Sequence, residues 1–362
     1  MRRIDQFLYR KKKSLWERVL LFPLYLLSLP YGWGVRTRSF LYSLQLLKTR
    51  TLPCPVISVG NITVGGTGKT PLVIALAKGL AARGIPVAIL SRGYKRTKTS
   101  EPVVSDGKTT FLSPEESGDE PFLVAKACQG IPVLVGKDRF INGQLALQRF
   151  GVRGLLLDDG YQYLPLYRDI NILLIDSTIG FGDCHLLPRG ILREPLSHLR
   201  RADLLLINKA AEPAAYQPLE KKIQEIYPGA QVFHRDYVLV SLVGPEEQQE
   251  GLDSLKGKKV LALSGVANPN SFSSMLRKCE MKIVGEAIFP DHHLYTAKDL
   301  SYIEEKAKEA GGIVTTEKDM VKLKRLNIGH LPIWALRIEM KIWEEEEFFK
   351  RIVSLFEKER RN

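Results

Sequence analysis

Three observations predict an α/β protein built on a parallel sheet. From residue 56 onward, short runs of Val, Ile and Leu alternate with helix-like segments. These runs are continuous rather than alternating apolar and polar, as in strands covered on both faces. Between the first run and the first helix lies a glycine-rich turn ending in Lys69-Thr70. A strand, a glycine-rich turn and Lys-Thr opening a helix form the context of a phosphate-binding P-loop. The expected architecture is α/β: a P-loop NTPase-like parallel-sheet domain, a second, smaller α/β domain joined to it by a β-ribbon, and an N-terminal membrane-interface helix. The corresponding boundaries are 1–50, 51–231, 232–258 for the ribbon and 259–362.

The N-terminal segment carries most of the charge asymmetry. The chain of 362 residues has a formal net charge of +13, and residues 1–50 hold 11 Lys/Arg against only Asp5 and Glu17. Such a patch suits nucleic acid or anionic lipid. The apolar and aromatic residues between the cations, Trp16 through Trp33, favour lipid and argue against nucleic acid. Pro23 and Pro30 are expected to interrupt this stretch, leaving it short of the ~20 residues needed to span a bilayer. It therefore reads as a helix lying in the interface, with packing on the protein's own core as the alternative. No cleavage site of small residues follows it. Cys54, Cys128, Cys184 and Cys279 are widely spaced and form no C-x-x-C pair, so neither a zinc site nor a disulfide framework is implied.

In the first domain, strands are predicted at 56–59, 87–90, 132–135, 155–157, 170–175 and 204–207, and helices at 72–82, 121–127, 138–150 and 218–226. The segment 232–245 contains strand-like runs with no helix between them, as in a connecting ribbon. A second alternation follows: strands at 259–263, 283–287, 313–316 and 333–338, and helices at 270–278, 297–310 and 344–359.

In the P-loop, Thr63, Val64, Gly65, Gly66, Thr67, Gly68, Lys69 and Thr70 are the candidate nucleotide-binding residues. Glycines let backbone N–H groups approach phosphate oxygens, Lys69 reaches the β/γ-phosphates, and the Thr70 hydroxyl can ligate Mg²⁺. Thr63 stands where the usual motif has its first glycine. Asp158 and Asp159 end an apolar strand, where a P-loop fold places its metal-binding acid, although Asp-Asp-Gly is also a turn sequence. Asp119, just ahead of a helix, is either a cap or a base for an attacking hydroxyl. Arg92, Arg139 and Arg193 sit in loops where α/β sheets bind ligands and are candidates for clamping phosphate. His292 and His293 could be a surface pair, or one of them could tune an acid from the other domain. Asn208-Lys209-Ala210-Ala211 resembles a guanine-reading loop but has Ala211 in place of its Asp. Val64 stands where dimerising partition ATPases carry a lysine.

Together these residues resemble the tetraacyldisaccharide 4′-kinases (lipid A 4′-kinases). The motifs are VGNITVGGTGKTP at 59–71, SRGY at 91–94, GDEP at 118–121, GKDRF at 136–140, LDDGYQYLPLYRD at 157–169, GFGDCHLLPRGILREP at 180–195, SGVANPNSF at 264–272, FPDHHLYT at 289–296 and TTEKDMVKL at 315–323. The family usually has Phe at 161, His at 163 and Asn at 183; this chain has Tyr161, Tyr163 and Asp183.

The resemblance implies transfer of the ATP γ-phosphoryl to the 4′-hydroxyl of a tetraacyl glucosamine disaccharide 1-phosphate, giving lipid IVA in lipid A biosynthesis. It implies ATP and Mg²⁺, a peripheral position on the cytoplasmic face of the inner membrane, and no obligate protein partner. By motif it makes Asp119 the base, His292 its partner and Lys69 the charge stabiliser. Thr70, Asp158, Asp159 and Glu194 become the Mg²⁺ neighbourhood. A membrane-associated P-loop ATPase that uses hydrolysis as a switch is the alternative, and dependence of ATP consumption on a lipid acceptor separates the two.

Overall fold

The computed structural model describes residues 14–93, 96–97, 101–208, 213–266, 269–291 and 293–359. The chain divides into two compact units, one running to Asp236 and resuming at Lys341, the other Tyr237–Met340. In chain order the elements begin with α1 (Leu15–Leu20), α2 (Phe22–Ser43), β1 (Val56–Gly60), α3 (Lys69–Ala82), β2 (Val87–Ser91) and β3 (Val103–Ser105). Next come α4 (Pro114–Ser117), α5 (Asp119–Ala127), β4 (Val133–Val135), α6 (Arg139–Phe150), β5 (Gly154–Asp158), β6 (Ile170–Asp176), β7 (Leu204–Asn208) and α7 (Pro213–Ile226). Strand β8 (Val232–Val243) leads from the first unit into the second, followed by β9 (Gln249–Glu250), β10 (Lys259–Ser264), α8 (Pro269–Lys278), β11 (Lys282–Ile288) and α9 (Ala297–Ala307). The chain continues through β12 (Gly312–Thr316) and α10 (Glu317–Leu323), returns along β13 (Ile333–Ile342) and ends in α11 (Glu345–Glu359).

The first unit's sheet has the order β8-β7-β6-β1-β5-β2-β4-β3. Neighbours are parallel except β3, which is antiparallel to β4. Strands β1, β2, β5 and β7 are buried at every residue, which explains their unbroken apolar runs. One core, around Leu173, Ile175, Leu205 and Ile223, fills one part of this unit; another, around Val56, Leu90, Leu134 and Leu157, fills a second. In the second unit, β11, β10, β12 and β13 are parallel in that order. The two strand-like runs of the expected ribbon form the single twelve-residue strand β8.

The terminal helix departs from the expected 259–362 domain. Helix α11 belongs to the first unit, where Phe348, Phe349, Ile352 and Phe356 are buried. Glycine explains the fit: a Cβ on Gly79 would stand 2.2 Å from the Phe349 ring, and one on Gly154 2.5 Å from Phe356. The Arg83 guanidinium lies 4.1 Å from the centroid of the Phe349 ring.

At the N-terminal end, Ser14 and Glu17 form a capping box for α1. Helix α2 runs for 22 residues and is not interrupted by its prolines. Pro23 occupies the first turn, where a missing N–H costs nothing. Pro30 lies inside the helix, where Gly32 packs against Leu186 and the Tyr31 hydroxyl donates to the Arg193 carbonyl at 2.8 Å. These contacts hold the helix through the lost backbone bond. Trp16, Leu20 and Trp33 are exposed by 84%, 75% and 73%, so the apolar residues of this segment are not all spent on the protein's own core. No helix among the described residues is long and apolar enough to cross a membrane.

Candidate active site

Strand β1 delivers the chain into the P-loop at Gly60, where a Cβ would collide with Tyr161 at 2.5 Å. Gly65 and Gly68 have φ of 104° and 82°, the left-handed region that favours glycine. Gly68 caps α3, so Lys69 and Thr70 open the helix and its first N–H groups face the loop. A Cβ on Gly66 would meet none of the described residues within 4 Å.

Thr63 fits for a local reason. It is buried and bridges antiparallel to Leu192, flanked by bonds from Val64 N to Ile191 O (2.8 Å) and from Arg193 N to Ile62 O (2.7 Å). A β-branched residue suits this strand-like ladder, so no glycine is required there. The other end of the loop is held by side chains. Asn208 Nδ2 donates to Thr67 O at 3.1 Å, and Arg235 Nη2 donates to Thr67 O at 2.8 Å and to Gly68 O at 3.0 Å.

The charged groups meet at Asp159. Its carboxylate lies 3.6 Å from Lys69 Nζ and 3.1 Å from Arg193 Nη1, and Asn61 Oδ1 accepts from both cations at 3.3 Å. Gln162 holds the cluster, donating to Asn61 O at 2.8 Å and accepting from Arg193 at 3.4 Å. Burial raises the Asp159 pKa, but Lys69 and then Arg193 outweigh it and hold the group below the ordinary carboxylate value. Its neighbour Asp158 is buried at the end of β5, and burial, then Glu120 and Asp159, push its pKa up to about 7.

Glu120, in the first turn of α5, lies within electrostatic reach of Asp158. Asp119 opens that helix behind Gly118, whose φ is 91°. Arg139 is buried, its guanidinium 4.5 Å from the centroid of the Tyr163 ring, and its backbone N–H donates to the Tyr163 hydroxyl at 3.2 Å. Burial lowers its pKa; Tyr163, Asp159 and Asp158 oppose this and exposed Arg92 adds to it, so all five groups lie within electrostatic reach. Arg139 is presented by the Asp138 cap, which accepts from Phe140 N and Ile141 N at 3.0 and 3.3 Å.

Glu194 is more committed than the sequence suggested. Its Oε2 is 2.5 Å from Arg201 Nη2 and 2.9 Å from His198 Nδ1. Among the described residues, no cluster of three or more His, Cys, Asp or Glu side chains is poised around a cation position. Mg²⁺ needs no such cage, since it commonly takes one or two carboxylates plus substrate phosphates, and the hard oxygens of Asp158, Asp159 and Thr70 fit it.

His292, Tyr94, and Lys209 to Ala211 lie outside the described residues. In the second unit, His293 Nε2 is 3.1 Å from Asp299 Oδ2, and its ring stacks on Phe289. Asn61, Glu120, Gln162 and Arg235 were not anticipated. Asn208, in a run that resembles a guanine-reading loop without its Asp, instead supports the P-loop through its amide. A signal for Asn61 and Gln162 was available in their polarity beside the P-loop and beside Asp-Asp-Gly. Arg235 lies far along the chain with none.

A parallel α/β sheet with a glycine loop at a strand end, a lysine at the helix start and paired acids opposite defines a P-loop phosphotransferase. The family model described as tetraacyldisaccharide-1-P 4′-kinase matches residues 20–357, and the chain belongs to this family of kinases of lipid A biosynthesis. It is 41% identical over 345 residues to the tetraacyldisaccharide 4′-kinase of Syntrophus aciditrophicus, covering 91% of both chains. With the enzyme of that name from Desulfatibacillum aliphaticivorans it shares 41% over 328 residues, 89% of each. A crystal structure of LpxK from Aquifex aeolicus in complex with ATP superposes with a TM-score of 0.75 at 35% identity, over 94% of this chain and 99% of that one.

Proposed function

We propose that this kinase transfers the γ-phosphoryl group of ATP to the 4′-hydroxyl of a tetraacyl glucosamine disaccharide 1-phosphate, giving lipid IVA at the cytoplasmic face of the inner membrane. The observation that carries this reading is the convergence of Lys69 and Arg193 on Asp159 at the P-loop, with buried Asp158 alongside. Phosphoryl transfer needs mainly positioning and neutralisation of charge. Lys69 and the N–H groups opening α3 supply the neutralisation. Arg92, Arg139 and Arg193 hold nucleotide or acceptor phosphates.

Asp119 takes the proton of the 4′-hydroxyl as the sugar oxygen bonds to the γ-phosphorus. The bond from that phosphorus to the β–γ bridging oxygen breaks, and its electron pair leaves with ADP. By the family pattern, His292 raises the basicity of Asp119. Mg²⁺, which shields phosphate charge when bound, would be held by Thr70, Asp158 and Asp159, with Glu194 in the same neighbourhood. The exposed Trp16, Leu20 and Trp33 support contact with the bilayer interface, where the acyl chains of the acceptor lie.

The test is acceptor dependence. ADP release is expected to require the disaccharide lipid and to match phosphorylated lipid mole for mole. Hydrolysis at an equal rate without acceptor would overturn this reading and favour an ATPase switch.

A further inference from the structure

The turn that presents the paired acids is strained, and one guanidinium gathers its carbonyls. Asp159 has a φ of 51°, a left-handed conformation that disfavours residues with a Cβ and that Asp tolerates better than most. From this conformation its carboxylate meets Lys69 and Arg193. Gly160 follows in a space where a Cβ would stand 2.6 Å from that of Leu157 and 2.8 Å from Ser58 Oγ. Backbone bonds from Gly160 N to Val59 O and from Tyr163 N to Gly160 O, both 2.9 Å, close the turn.

Arg168 holds the rest of it. Its Nη1 donates to Tyr163 O at 2.8 Å and lies 3.4 and 3.5 Å from the carbonyls of Gly160 and Tyr161. Arg201 supports the same stretch, with Nη2 3.5 Å from Tyr161 O and its guanidinium 4.6 Å from the centroid of the Tyr161 ring. Arg168 is in turn fixed by its neighbour Asp169, whose carboxylate and backbone N–H bond Val56 N and Val56 O, both at 2.8 Å, at the start of β1. Burial, then Arg201, push the Arg168 pKa down to about 10, against the opposing charges of Tyr161, Glu194 and Asp203. A cation taken out of water to bind carbonyls adds little net stability. What it fixes is the shape of the turn.

Resting on the function proposed above, we propose that Arg168 is a positioning residue for the divalent ion of the nucleotide: by holding the carbonyls of residues 160–163 it keeps Asp159 left-handed and its carboxylate at the P-loop. Arg168 acts through Asp159, so its effect requires that carboxylate.

The test reads Mn²⁺ affinity of the ATP-bound protein by electron paramagnetic resonance. Wild type, Arg168→Lys and Arg168→Met are compared, each also in an Asp159→Asn background. Lysine keeps the charge as a point donor without the planar fork, and methionine keeps only bulk. Both substitutions are expected to weaken Mn²⁺ binding roughly tenfold when Asp159 is present and less than about twofold in the Asp159→Asn background. ATP affinity without divalent ion should stay within about threefold, because the bonds that hold the P-loop run to Ile191, Arg193, Asn208 and Arg235. In assays of phosphorylated lipid, the Mg²⁺ concentration for half-maximal rate should rise by the same factor, and saturating Mg²⁺ should restore most of kcat. Unchanged Mn²⁺ affinity, equal losses with and without the Asp159 carboxylate, or failure of both variants to fold would each overturn the assignment and leave Arg168 a purely structural residue. If wild type phosphorylates no lipid, the function is wrong, and the Mn²⁺ titration still decides the role of Arg168.

Discussion

Arg235, fully buried in β8, donates from Nη2 to the carbonyl of Thr67 at 2.8 Å and to that of Gly68 at 3.0 Å. The peptide units just ahead of Lys69 are thereby held from below, with Asn208 Nδ2 adding a bond to Thr67 O. Carbonyls tied into the protein leave the loop's N–H groups turned towards the open side, where phosphate would bind. Removing the guanidinium takes its bond from both carbonyls, leaving Thr67 O to Asn208 and Gly68 O to the long bond from Leu72 N at 3.4 Å. Arg235→Met is expected to cost ~1–3 kcal/mol of stability and to weaken ATP binding about tenfold. Thermal unfolding and an ATP titration check this; unchanged ATP affinity would show that the contact is merely structural.

Asp119 begins α5 next to Glu120, whose charge is felt at Asp158. Asp119→Ala is expected to lower kcat by ~10²–10⁴-fold with little change in ATP affinity, as for loss of a general base. Stopped assays of phosphorylated lipid, with nucleotide binding measured separately, give both numbers. A kcat within a few fold of wild type removes Asp119 from the chemistry.

The pH dependence of the Asp138 cap has a definite sign. Burial raises its pKa, but the Arg50 bond and the N–H groups of Ile141 and Phe140 bring it below the ordinary value. A depressed carboxylate stabilises the fold above its unfolded pKa and loses that contribution as pH falls through the folded one. Asp138→Ala is therefore expected to cost ~0.5–2 kcal/mol at pH 7, and the gap from wild type should close in acid. Denaturant unfolding at a series of pH values measures it; a gap that widens towards low pH contradicts the cap.

Replacing Trp16, Leu20 and Trp33 together by Ser removes apolar groups that the protein itself leaves exposed. Co-sedimentation with anionic vesicles is expected to fall several-fold while unfolding temperature stays nearly constant, because little buried area changes. Unaltered sedimentation would place the membrane contact elsewhere.

Much of this was legible along the chain, and the limits have physical causes. Strands such as β1 and β7 announce themselves because burial on both faces demands unbroken apolar runs. Lys69, Asp158 and Asp159 sit in local motifs, so their place in the site could be read directly. Pro30 misled because its cost is local while the contacts that offset it, Gly32 on Leu186 and Tyr31 on Arg193, are distant in sequence. Arg235 was invisible for the same reason: 167 residues separate it from Gly68. The return of α11 to the first unit depends on Gly79 and Gly154 being small beneath Phe349 and Phe356, a complementarity no single segment carries.

The central claim is that this site moves phosphate from ATP to one particular sugar oxygen. Its most direct test is to incubate the protein with γ-labelled ATP, Mg²⁺ and tetraacyldisaccharide 1-phosphate, then locate the label by fragmentation mass spectrometry and ³¹P NMR. The expected product carries one new phosphomonoester on the 4′-oxygen of the distal glucosamine, and Lys69→Ala forms almost none. Label found only in free phosphate, or equal transfer by Lys69→Ala, would contradict the account.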